Sequence, residues 1–110
     1  MKIKKSNRKF RPSKKFNITI TEKAKISLEN NEQITLIDQS KNEYDIVKKS
    51  WGYYSSPSIN KRLVKNNYQA FLVQNINNKT IFLFTVQKSK KRMMQDYIKK
   101  VGIKILKQIK

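Results

Sequence analysis

Residues 68–87, YQAFLVQNINNKTIFLFTVQ, constrain the fold more tightly than any other stretch of the chain. Two β-branched and aromatic runs, residues 68–74 and 80–87, flank a loop of Asn75, Ile76, Asn77, Asn78 and Lys79. Asparagine tolerates the left-handed conformations of tight turns, so the pattern predicts an antiparallel hairpin. Ala70–Val73 and Ile81–Phe84 are apolar on both faces, which predicts that both strands lie centrally in a sheet.

Around this hairpin the sequence offers further short strands. Residues 16–20 and 34–38 alternate apolar and polar, with a weak continuation at residues 26–28 and a turn-rich stretch at 29–32. Residues 39–42 read as another turn. Residues 43–49 resume a strand with Tyr44, Ile46 and Lys48 on one face and Asp45 and Val47 on the other. After Pro57, Ser58 is placed to cap a short helix over residues 59–65 that ends at Asn66-Asn67. From Met93 the period becomes helical: Met94, Tyr97, Ile98, Val101, Ile105 and Ile109 form one stripe, with Lys99, Lys100, Lys107 and Lys110 opposite. Gly102 weakens that helix, and residues 101–105 would also suit a strand; the helical reading is preferred. The expected fold is α+β: a small, mainly antiparallel twisted sheet or half-barrel of about five strands, one short helix and a C-terminal amphipathic helix.

Charge divides the chain into three parts. Residues 1–15 hold eight cations and no acid, residues 88–110 hold nine cations against Asp96, and residues 16–87 hold nine cations against six acids. The centre composes like an ordinary domain while the ends carry most of the net charge of +19. Part of the basic character follows composition typical of an AT-rich genome, since Lys, Asn and Ile fill 47 of 110 positions. Such bias does not explain why there are only seven carboxylates. The first fifteen residues have apolar side chains only at Met1, Ile3 and Phe10, too few to offset ordering entropy. They are expected to be a flexible basic arm (1–15), followed by an α+β core (16–87) and the basic C-terminal helix (88–110).

Several chemistries are poorly supplied. The chain has no Cys and no His, hence no thiolate nucleophile, no Cys/His zinc site and no imidazole base. Glu43 and Asp45 sit two apart, where surface ion pairing with Lys41, Lys48 and Lys49 is the simpler reading than a metal or proton-sharing pair. Ser55, Ser56 and Ser58 lack an activating base, and with glycine only at positions 52 and 102 there is no Gly-rich phosphate loop. The expectation is a protein that is not an enzyme and uses no cofactor or metal. No apolar run approaches the roughly 18 residues of a membrane span, and residues 1–15 lack the apolar segment of a secretory signal. A cytoplasmic location, or an organelle matrix, is therefore expected.

Positive charge at both ends points to phosphate. The expected partner is RNA, foremost ribosomal RNA, with ribosomal proteins as possible neighbours. The candidate contacts are Lys4, Lys5, Arg8, Lys9, Arg11, Lys14 and Lys15 in the arm, Tyr54, Lys61 and Arg62 beside the aromatic run, and Lys99 and Lys100 in the last helix. Trp51, Tyr53 and Tyr54 among Lys48, Lys49, Lys61 and Arg62 show the interleaving of rings and cations used on single-stranded nucleic acid. They equally suit a core corner at Gly52; Trp51 is expected inward and Tyr54 outward.

The segment EYDIVKKSWGYYSSPSINKRL, followed by QAFLV and a further apolar strand, resembles a small bacterial protein family of unassigned function. The resemblance covers about residues 43–86 and excludes the basic ends. It implies association with cell-surface carbohydrate synthesis and no known reaction. On that reading Tyr53, Ser55, Asn60 and Arg62 would form a polar site for an anionic sugar or nucleotide sugar.

Overall fold

The computed structural model describes residues 1–12 and 17–110. The elements run β1 (Lys2–Phe10), β2 (Ile20–Ser27), β3 (Gln33–Ile37), β4 (Glu43–Lys49), β5 (Gly52–Ser55), α1 (Arg62–Lys65), β6 (Tyr68–Asn75), β7 (Ile81–Gln87), α2 (Lys91–Val101) and β8 (Ile103–Ile109). The fold is α+β with antiparallel pairing throughout, as its alternating apolar runs predict. Among the described residues there are eight strands, not five, in three open sheets: β1-β2, β3-β4-β5 and β7-β6-β8. None closes on itself. The chain forms two compact units, residues 1–38 with 43–56, and residues 39–42 with 57–110.

In the second unit, β6 is the central strand and the core sits on it. Phe71 and Val73 are fully buried with Val86, and Phe84, Met94 and Ile103 pack against them. Burying such side chains stabilises by about 1.5–3 kcal/mol each. Phe71 faces Phe84 across the ladder, so two large rings fill one layer. The neighbouring strand differs from expectation. β7 is an edge with β6 on one side, and its first residues Ile81, Phe82 and Leu83 are exposed while Phe84 and Val86 turn to the core. In its loop the left-handed residue is Lys79 (φ 66°), while Asn75 Oδ1 accepts from the N–H groups of Asn77 (2.9 Å) and Asn78 (3.2 Å).

Two helical expectations shift. Helix α1 starts at Arg62, three residues later than predicted; Ser58 Oγ accepts from Arg62 N–H at 3.1 Å and Leu63 is buried. Helix α2 turns the buried Ile98 and the half-buried Met94 inward but stops at Gly102, which is left-handed (φ 74°) and donates its N–H to Ile98 O. A left-handed glycine ends a helix at little cost. Beyond it, residues 103–109 form strand β8, hydrogen-bonded to β6. Thus the predicted 88–110 helix is a helix and a strand. Among the described residues no helix is long and apolar enough to cross a membrane.

In the first unit, β3, β4 and β5 form a meander. Asp45 and Val47 are its buried side chains, on the face that sequence alternation set opposite Tyr44 and Ile46. Asp45 is not a surface ion-pair residue: only 3% exposed, its carboxylate accepts from Thr35 Oγ1 at 2.8 Å. Residues 2–10, expected as a flexible arm, are strand β1 of a two-stranded ribbon. Cross-strand backbone hydrogen bonds to β2 order them without apolar burial.

Candidate nucleic-acid interface

The ribbon sorts its charges by register. Lys2 pairs with Ser27, Lys4 with Lys25 and Lys9 with Thr21, while Ile3 pairs with Ile26, Lys5 with Ala24, Arg8 with Glu22 and Phe10 with Ile20. From Lys5 to Arg8, β1 takes three steps against two of β2, a bulge that keeps this segregation in register. Because side chains alternate along a strand, one face gathers Lys2, Lys4, Lys9 and Lys23 with Thr21 and Ser27; Lys25 starts on that face by register, but its Nζ reaches round to Glu22 on the other. All five lysines are exposed. The other face carries Ile3, Ile26, Phe10 and Ile20 at its ends, with Lys5 and the Arg8–Glu22 pair between. Same-face neighbours on one strand lie about 6.6 Å apart, so Lys2 and Lys4 are close on β1, while Lys9 stands beyond the bulge.

Glu22, the one acid in the ribbon strands, organises its middle. Its carboxylate accepts from Lys25 Nζ at 2.6 Å, Ser6 Oγ at 2.9 Å and Arg8 Nη2 at 3.4 Å. These partners, Lys25 foremost, lower the Glu22 pKa from 4.5 to about 2. The Arg8 guanidinium also lies 5.0 Å from the Phe10 ring centroid. Glu32 is likewise held below its ordinary value, first by the Glu29 N–H and then by the N-terminal ammonium, 3.3 Å away. That pair ties the first residue of the ribbon to the turn before β3.

The second feature is the turn between β4 and β5. Lys49 pairs with Gly52, leaving Ser50 and Trp51 as a two-residue loop. Gly52 has φ 143°, a region side chains rarely adopt, and nothing lies within 4 Å of the Cβ it lacks. Its conformational freedom, rather than a close approach, makes the turn possible. The turn throws Trp51 outward: it is 72% exposed, against the expectation that it fills the core. Its ring stacks with Tyr54, centroids 6.2 Å apart and planes at 17°. Tyr54 is exposed as expected, and Tyr53, 62% exposed, has Lys48 Nζ 5.5 Å from its ring.

Other candidates fall as follows. Lys4 and Lys9 lie on the cationic face, and Lys5 and Arg8 on the mixed face. Arg11 is exposed beyond β1, and Lys14 and Lys15 lie outside the described residues. Lys61 and Arg62 flank the start of α1, and Lys99 and Lys100 are exposed in the last turn of α2. In the alternative polar set, Tyr53 and Ser55 belong to the first unit, and Asn60 and Arg62 to the second. Ser55 Oγ is hydrogen-bonded to Tyr44 OH at 2.7 Å. Sequence reasoning omitted Lys2, Lys23 and Lys25. The i,i+2 spacing of Lys2 with Lys4 and Lys23 with Lys25 was the available signal, readable once both segments are strands.

No protein-family model, curated protein or solved structure matches this chain.

Proposed function

We propose that this is a non-enzymatic RNA-binding protein, acting in the cytoplasm or an organelle matrix and engaging ribosomal RNA through phosphate contacts. The observation that carries the reading is the cationic ribbon face of Lys2, Lys4, Lys9 and Lys23. Ammonium groups gathered on one face of a hydrogen-bonded ribbon are preorganised for a polyanion, and each neutralised phosphate releases condensed counterion. Lys25 contributes less because Glu22 already holds it. Arg11, Lys14, Lys15, Lys61, Arg62, Lys99 and Lys100 add positive potential that speeds encounter.

The test is the salt dependence of RNA binding by the whole chain and by a variant with Lys2, Lys4, Lys9 and Lys23 changed to Gln. Wild type should show a log–log slope of about −3, from four to five single-strand contacts. The variant should bind at least tenfold more weakly, with a clearly shallower slope, since each lost contact removes about 0.7 from it. Equal slopes for the two proteins, or wild-type affinity indifferent to salt, would refute the proposal. Neutralising the lysines is a better test than deleting residues 1–15, since deletion would remove a strand that β2 needs.

A further inference from the structure

We infer that the β4–β5 turn is a base-stacking site, so that the RNA this protein takes is single-stranded at the point of contact. The inference rests on the RNA reading above and extends it from phosphates to bases.

Three aromatic rings within four residues stand in solvent: Trp51, Tyr53 and Tyr54, at 72%, 62% and 42% exposure. An exposed tryptophan forgoes the burial its size would give, and here the two-residue turn and Gly52 hold it out. Tyr54 stacks against the indole and limits its freedom without covering it. The result is a preset platform with much of the indole still open. Lys49 shares the Tyr54 face by register, and its Nζ donates to Asn31 Oδ1 at 2.8 Å, which fixes a cation beside the platform; Lys48 and the Tyr53 ring lie on the opposite face of the hairpin. Stacking rings among fixed cations is the chemistry that binds unpaired bases, since every base offers a π-face. Bases in an A-form duplex are already stacked on one another and cannot reach such a platform.

Trp51 is the only tryptophan, so its emission reports this site directly. The full chain is titrated at fixed salt with a 12-nucleotide oligouridylate and, separately, with a 12-base-pair RNA duplex. Oligouridylate should quench the emission; the duplex should bind without quenching. By anisotropy of labelled RNA, Trp51→Ala should weaken oligouridylate binding about tenfold while leaving duplex binding unchanged. Trp51→Phe, which keeps a ring, should recover most of that loss. Circular dichroism of each variant confirms that the sheet is intact. Oligouridylate binding without quenching, or unaltered by Trp51→Ala, overturns the stacking site while the phosphate reading stands. Failure of both RNAs to bind overturns both.

Discussion

Glu22 shows how one residue can set the behaviour of a ribbon. It accepts from three donors, and its pKa falls from 4.5 to about 2. Because the folded value is the lower one, its contribution is complete above pH 4.5 and is lost as pH falls towards 2. Acid titration followed by circular dichroism should therefore show loss of ribbon structure between about pH 4.5 and 2 in the wild type. Glu22→Gln should weaken that dependence, leaving the part carried by Glu32; an unchanged acid limb would show that Glu22 does not control it. Trp51 illustrates the same point for recognition. Its type was legible, but its direction depended on Gly52 taking φ 143° and closing the turn after two residues.

At the scale of elements, apolar content alone does not locate the core. β6 and β7 read almost identically, yet β6 has neighbours on both sides and β7 on one. Phe71→Ala in β6 should cost about 3–5 kcal/mol, the range for removing a buried aromatic side chain. Leu83→Lys on β7, 54% exposed, should change stability by no more than about 0.5 kcal/mol. Urea denaturation compares the two; similar costs would show that β7 is not an edge in solution. The hairpin itself was legible because loop and strand signals agree locally. β1 was not, because its apolar content is low and its order comes from pairing with residues 10 to 25 positions away. β8 was hidden for another reason: residues 103–109 satisfy both the helical and the strand period, and the left-handed Gly102 decides between them.

For the whole molecule, a net charge of +19 on 110 residues works against compactness. Raising salt from about 10 to 150 mM shortens the Debye length from roughly 30 to 8 Å, so distant lysines stop repelling one another. The thermal midpoint should rise over that range, measured in a non-binding salt; a falling midpoint would mean that the few ion pairs outweigh the repulsion. The candidate interface was legible in part. Lys4, Lys5, Arg8, Lys9 and Tyr54 were readable as cations and a ring, whereas the grouping of Lys4 and Lys9 with Lys2 and Lys23 depends on register.

The sequence by itself determined the α+β class, the β6–β7 hairpin, the amphipathic stripe of α2 and the excess of cations at both ends. These follow from side-chain period and composition, which are local properties of a chain. Tertiary structure decided which strand is central, where α2 stops, that the basic N-terminal segment is half of a ribbon, and that Trp51 faces water. Each depends on pairing between distant residues or on one glycine's backbone angle, and neither is fixed by residue type alone.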